Sequence, residues 1–304
     1  MSGPLLGLDL GGTNIKVVLL VPDGDTFRAA GTWEYPTEAG EGPTHVADNL
    51  IRATRSHLGE NSGIDRVGVG VPGLFHSATG VIELFPNLPG GWEGFPLGAT
   101  IQHALGIPVT MVNDARAFTL AEGLVGAGKG FRIVACLTLG TGIGGGIMID
   151  GQLHLGAFGV AGEIGHQIID PDGPLCGCGN NGCVEAMSRA DVLTALAGKE
   201  SAEEVYRTAS GGDAGSVAAI EAVAEALGIG LANVVTLIGP DRIVIGGGIA
   251  DAGDLVLDPI RRTIRERVTL VPPERIDVVA SQLGKWSGAH GAALAAAQPL
   301  TRDR

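Results

Sequence analysis

Four side chains suited to a single metal ion fall within a short part of this sequence: His166, Cys176, Cys178 and Cys183. Three thiolates and one imidazole make a Cys3His set, the sulfur-and-nitrogen inventory that tetrahedral zinc takes. Glycines at 177, 179 and 182 let the chain wrap closely around an ion. The competing interpretation is a group of reduced, buried thiols beside a core histidine, but three cysteines so close together and interrupted by glycine favour metal. Four protein ligands leave no open coordination position, so the ion holds a loop in place; a metal hydrolase would need that position open. Glu163 and Glu185 flank the loop. A fixed loop would aim their carboxylates, and the second ring nitrogen of His166, at hydroxyls of a polar substrate. Without such a substrate they are ordinary surface or helix-start glutamates.

A second group of residues has the spacing of phosphate chemistry. Gly11-Gly12-Thr13 and the run Gly140 to Gly146, with Thr141 and Gly142 at its turn, each follow an apolar strand. Backbone N–H groups in such turns converge on anionic oxygens because no side chains intervene. Gly246-Gly247-Gly248 supplies a third glycine loop that could lie against the flat face of a nucleotide. Residues 140–145 also satisfy the dinucleotide pattern GxGxxG, which should open a helix. Here Ile147 to Ile149 and the turn Asp150-Gly151 follow instead, so a hairpin is expected. Gly123 to Lys129 fits GxxxxGK, but Gly130 stands where a P-loop needs Ser or Thr. Asp9, at the end of the first strand, is placed to hold magnesium beside phosphate, unless it only makes a local turn. Asn113-Asp114 stands where a strand gives way to a helix. There Asp114 could accept a proton from a substrate hydroxyl, or merely cap the helix.

These residues need elements to position them. Leu5 to Leu8, Ile15 to Val21, Val67 to Val71, Val109 to Val112 and Ile133 to Leu139 read as strands. Helical patterns run over Thr44 to Leu58, Thr100 to Leu105, Ala115 to Val125, Ala190 to Ala197, Ala202 to Ala209, Ala214 to Leu237 with a break near Gly228 to Gly230, and Leu255 to Arg267. Ser287 is expected to cap a last helix reaching Ala297. Leu74 to Leu97 reads as loops. The pattern also repeats itself. Leu8-Asp9-Leu10-Gly11-Gly12 matches Leu137-Thr138-Leu139-Gly140-Thr141, and Arg242 to Gly248 resembles Arg66 to Gly73. Two similar halves facing each other would enclose a cleft.

The chain has 304 residues, enough for about two domains, and 51 glycines without a collagen-like period. Its formal net charge of -13 and lack of Lys/Arg clusters argue against nucleic-acid partners. Asp9 interrupts the first apolar run and no run of apolar residues approaches a membrane span, so the expectation is a cytoplasmic protein without a membrane partner.

Taken together, Asp9-Leu-Gly-Gly-Thr13, Asn113-Asp114, Gly140 to Gly146, Gly162-Glu-Ile-Gly-His166 and the Cys176 to Glu185 segment resemble the ROK family of bacterial sugar kinases and repressors, most closely its glucokinase-type members. The resemblance spans nearly the whole chain, and the histidine with its cysteines is its most specific part. It implies an α/β, duplicated actin-like (ribonuclease H-like) ATPase fold with two domains around a central cleft. The small domain would be 1–114, completed by the C-terminal helix 287–304; the large domain would be 115–286, with the structural zinc loop at 166–183. The implied reaction transfers the γ-phosphate of ATP, with Mg2+, to the 6-hydroxyl of glucose, with Asp114 as general base. Asn87, Asn113, Glu163, His166 and Glu185 match the family's sugar contacts. Asp9, Gly11, Gly12, Thr13, Thr141 and Gly142 match the magnesium and phosphate region, and Gly246, Gly247 and Gly248 the adenosine side. Zn2+ is structural in the resembling enzymes, which commonly form homodimers and sometimes homotetramers. Mannose, fructose, allose or an N-acetylated amino sugar as substrate, and polyphosphate as donor, are the alternatives within the kinases. A sugar-responsive repressor is the alternative outside them; the acidic charge, and the start of the motif almost at the N-terminus where repressors carry a helix-turn-helix, weigh against it.

Overall fold

The computed structural model describes residues 3–59, 63–86, 88–248 and 252–297. The chain divides into two compact units, Met1–Val125 with Lys285–Arg304, and Gly126–Gly284.

The first unit is built on a five-stranded sheet in the order β3-β2-β1-β4-β7. Its strands are β1 (Leu5–Leu10), β2 (Asn14–Asp23), β3 (Thr26–Pro36), β4 (Val67–Val71) and β7 (Val109–Asn113). β1 and β2 form an antiparallel hairpin, whereas β4 and β7 run parallel to β1. Side-chain alternation along β1 explains its two faces. Leu6, Leu8 and Leu10 enter one core with Val67, Val69 and Val71 of β4 and residues of helices α1 (Pro43–Arg55) and α2 (Leu97–Leu105). Each such fully buried leucine contributes about 1.5–3 kcal/mol. The opposite face carries Leu5, Gly7 and Asp9 and receives the alanine-rich helix α9 (Ser287–Ala295). Gly68 of β4 makes that approach possible: a Cβ there would lie 1.7 Å from the Ala292 carbonyl oxygen. A short hairpin, β5 (Leu74–Phe75) with β6 (Ile82–Leu84), interrupts the stretch expected to be loops. Helix α3 (Asp114–Leu124) packs against α9, which is why it belongs to this unit although the expected boundary fell at 114.

The second unit repeats the plan. Its sheet runs β10-β9-β8-β11-β12, from β8 (Ile133–Leu139), β9 (Ile143–Ile149), β10 (Gln152–Leu153), β11 (Arg242–Gly246) and β12 (Val278–Ala280). β8 and β9 pair antiparallel, and β11 pairs parallel to β8 as β4 does to β1. Ala135, Leu137, Leu139, Ile243 and Ile245 form its core with α7 (Ala214–Ile238) and α8 (Asp254–Arg267). Smaller helices α4 (Val184–Ser188), α5 (Ala190–Ala197) and α6 (Ala202–Ser210) surround the same core.

Two expectations change here. Helix α7 runs unbroken through Gly228 and Gly230, because these glycines admit Thr263 and Val184, whose side chains would stand 2.5 and 2.7 Å from an added Cβ. This helix is also long and apolar enough to cross a membrane by length and composition, with 61% of its most apolar window buried. Its Glu221 and Glu225 pair with Arg262 and Arg267 of α8. Ser287 is the second correction. Trp286 occupies the N-cap of α9, while the Ser287 hydroxyl donates to the buried Glu122 carboxylate of α3 at 3.0 Å.

Candidate active site

The four metal-ligand candidates come together in the second unit. Each offers a donor atom, and these atoms lie within 4.8 Å of one another. His166 sits on a single 3-10 turn (Ile164–His166) and presents Nδ1, 3.7 Å from Cys176 Sγ. Cys178 Sγ and Cys183 Sγ are 3.6 Å apart, and the three cysteines of the loop form no disulfide. Sulfurs bound tetrahedrally at ~2.3 Å would be spaced by ~3.8 Å, so two pairs already stand at that spacing and a small contraction of the set would fit zinc. Electrostatics agrees. Burial pushes the Cys183 thiol up to about 12 and raises Cys176 as well, while the Asn180 backbone N–H lowers Cys178. A cation at the centre is what would hold all three as thiolates. The bridges Ile168 to Cys183 and Leu175 to Asn181 close the loop around them.

Nδ1 faces the sulfurs, so Nε2 is the ring nitrogen directed away from them. Glu163 precedes the same turn, and the His166 N–H donates to its carbonyl at 3.1 Å. Glu185 lies in the first turn of α4, whose N-cap is Cys183. Its carboxylate accepts from the Ile143 N–H at 2.9 Å through Oε2 and faces Cys176 Sγ at 3.6 Å through Oε1. Glu185 therefore has protein partners that the sequence did not disclose.

In the first unit, Asp9 is the penultimate residue of β1, on the α9 face. Desolvation by burial raises its carboxyl to about 6; Lys16 opposes the shift and Asp114 adds to it. Lys16 is directly opposite on β2, its Nζ 4.0 Å from Asp9 Oδ2. No motif in the sequence marks Lys16, yet its ammonium stands beside the carboxylate. Gly288, in the first turn of α9, completes this environment: a Cβ there would lie 2.6 Å from Asp9 Oδ2. Gly11, Gly12 and Thr13 form the turn between β1 and β2, with Gly12 and Thr13 exposed. Thr37, fully buried, clamps that turn: its hydroxyl donates to the Gly11 carbonyl at 2.7 Å and its N–H to Thr13 at 2.9 Å. No sequence pattern marked Thr37, because it follows the edge strand β3 that the apolar pattern did not reveal.

The helix cap, for which the sequence offered Asp114, falls to Asn113 one residue earlier. The Asn113 carboxamide caps α3, accepting from Ala115 N–H at 3.1 Å and Arg116 N–H at 3.3 Å, and donates to the Gly73 carbonyl at 3.2 Å. Asp114 is the first residue of the helix, is exposed, and accepts from the Ala115 N–H at 2.8 Å.

Thr141 and Gly142 form the turn joining β8 to β9, Thr141 being exposed. A hairpin, and no helix, follows the GxGxxG pattern. Gly246 ends β11, and Gly247 adopts φ 89° with its Cα against the Leu139 backbone; Gly248 is exposed. Asn87 lies outside the described residues.

The family model described as ROK family matches residues 5–298. The chain belongs to the ROK family. Among its ROK relatives, the glucokinase of Streptomyces coelicolor is 35% identical over 321 residues, spanning 98% of this chain and 98% of that one. The xylose repressor of Caldicellulosiruptor bescii is 29% identical over 300 residues, spanning 92% of this ROK chain but 75% of the repressor. A crystal structure of a ROK family glucokinase from Streptomyces griseus in complex with glucose and AMPPNP superposes with a TM-score of 0.80 at 33% identity, covering 98% of this chain and 100% of that one. The duplicated two-unit α/β plan is the actin-like ATPase fold of these ROK sugar kinases.

Proposed function

We propose that this ROK protein is an ATP-dependent glucokinase that transfers the γ-phosphate to the 6-hydroxyl of glucose. The observation that carries the reading is the likeness along nearly the full chain to the S. griseus enzyme bound to glucose and AMPPNP. The N-cap at Asn113 supports it, since Asn113 accepts from two helix N–H groups and Asp114 is exposed beside it. Asp114 accepts the hydroxyl proton. An ordinary carboxylate suffices, because the transition state of phosphoryl transfer is loose and depends mainly on positioning and charge compensation. Glu163, Glu185 and His166 Nε2, with Asn113 and Asn87, hold the sugar hydroxyls. Backbone N–H groups of Gly11, Gly12, Thr13, Thr141 and Gly142 receive phosphate oxygens, and Gly246 to Gly248 lie toward adenosine. Asp9 would hold Mg2+, directly or through water; with the ion bound, charge developing on the transferred phosphoryl group is compensated. The Cys3His zinc has a structural role.

The protein works in the cytoplasm as a homodimer or homotetramer in this reading. A single panel tests it: purified protein with Mg-ATP against glucose, mannose, fructose, allose and N-acetylated amino sugars, with polyphosphate as a second donor. Glucose-dependent ADP release exceeding that with every other sugar is expected. Absence of sugar-dependent phosphate transfer across the panel would overturn the kinase reading.

A further inference from the structure

Glu185 joins the metal loop to the turn that receives phosphate. Ile143, whose N–H donates to Glu185 Oε2 at 2.9 Å, is the first residue of β9 and follows directly on Gly140, Thr141 and Gly142. The same turn is held twice more by the segment carrying the metal ligands. The Gly140 carbonyl accepts from the Ala190 N–H at 3.1 Å, where α5 begins. Gly165, the residue before His166, lies so close to Ile143 that a Cβ would stand 2.1 Å from the Ile143 carbonyl oxygen. Gly142 in turn has to lack a side chain, because a Cβ there would meet Glu185 Oε2 at 2.8 Å. All of these contacts lie within the second unit.

A turn with glycine at two of its three positions has little rigidity of its own. Its N–H groups converge on anionic oxygens only if both ends are fixed. Here both ends are fixed by residues 165–190, and the spacing of those residues depends on a loop that carries His166, Cys176, Cys178 and Cys183. A charged acceptor on a backbone N–H is also the stronger class of hydrogen bond.

We propose that Glu185 is a positioning residue for the phosphate-receiving turn, so that occupancy of the zinc site sets affinity for the nucleoside triphosphate as well as for the sugar. The inference rests on the kinase reading of the same site. It separates two tasks of one carboxylate: hydroxyl recognition, which needs the charge, and support of the turn, which needs only an acceptor oxygen.

The test is titration calorimetry of AMPPNP in the absence of sugar, on zinc-loaded wild type, wild type stripped by a chelator, Glu185→Gln and Glu185→Ala. Glu185→Ala and the stripped protein should bind AMPPNP about tenfold more weakly, ~1.4 kcal/mol, and adding Zn2+ back should restore the stripped protein. Glu185→Gln keeps an amide oxygen for the Ile143 N–H, so it should hold AMPPNP within about threefold of wild type while losing sugar affinity. Amide exchange at Ile143 should accelerate in the alanine variant and on stripping. Unchanged AMPPNP affinity in both, even with a lowered Tm, would overturn the proposal. If the alanine variant fails to fold, the stripped wild type decides. Should wild type bind no AMPPNP at all, the kinase reading fails, and Ile143 exchange still reports whether zinc and Glu185 hold the turn.

Discussion

In the first unit, the central strand β1 reaches its glycine turn with Asp9 on the face covered by α9; in the second, β8 reaches the corresponding turn with Thr138 at the matching position. Strand order and direction are the same in the two sheets. What differs is the means of holding the turn. The first uses a buried threonine, Thr37, whose hydroxyl bonds the Gly11 carbonyl and whose backbone N–H bonds the Thr13 carbonyl, and surrounds the Asp9 carboxylate with Lys16 and Gly288. The second uses a carboxylate, Glu185, anchored beside a metal loop. One backbone plan therefore carries a buried carboxylate beside its turn in the first unit and a Cys3His cluster beside its turn in the second. The divergence lies in a few side chains at the turn and in the segments that brace it.

Substitutions that act on one side only should break this contrast in different ways. The largest effect is expected at Asp114, the proposed base. Asp114→Asn should lower turnover by roughly 10²–10⁴, with sugar binding and Tm nearly unchanged; coupled ADP release and sugar titration separate the two. On the braced side, Cys178→Ser should abolish stoichiometric zinc and cost about 3 kcal/mol or more of stability, read by metal analysis and chemical unfolding. Its first unit should keep Asp114 and Asp9 undisturbed.

Asp9 gives a pH-dependent test. Its folded carboxyl titrates near 6 against a reference of 3.8, so the native state binds more protons than the unfolded state between those values. Stability contributed by this group is therefore greatest below 3.8 and falls as pH rises through about 6. In protein free of magnesium and nucleotide, Asp9→Asn should be more stable than wild type at pH 7.5 by at most ~3 kcal/mol, and by less in practice because the side chain is 16% exposed. The advantage should vanish below pH 4, as denaturant unfolding across pH would show. A constant difference at all pH values would remove burial as the cause. The smallest effect is expected at the cap. Asn113→Ala should cost about 1 kcal/mol of stability through loss of the α3 N-cap, while raising the sugar KM if its remaining amide hydrogen serves the substrate; unfolding and steady-state kinetics measure each part.

How much of this was legible depended on burial. β4 and β8 read correctly to the residue because both are short apolar runs, Val67–Val71 and Ile133–Leu139, bounded by polar or glycine turns. β3 left no such signal: it is a half-exposed edge strand carrying Arg28, Glu34 and Gly31, with a register shift at Leu19/Leu20 of its partner. β9 begins four residues earlier than its apolar run, because Gly144, Gly145 and Gly146 are paired strand residues. A glycine run in sequence suggests a turn, whereas close backbone neighbours such as the Gly162 carbonyl, 2.5 Å from a Cβ at Gly145, require glycine within the strand. The same holds in α7, where Gly228 and Gly230 suggest a break but serve close packing.

Residue chemistry and spacing alone determined the metal donor set, the phosphate-turn pattern, the internal repeat and the candidate base, because each depends on side-chain type within a short stretch. Tertiary structure alone decided that Asn113 caps α3, that Lys16 and Gly288 enclose Asp9, that Thr37 clamps one turn, and that Glu185 braces the other. These are contacts between segments distant in sequence: Gly288 meets Asp9 across nearly the whole chain. Local pattern carries no record of such pairings; they arise when packed sheets and helices bring particular atoms within hydrogen-bonding or van der Waals distance.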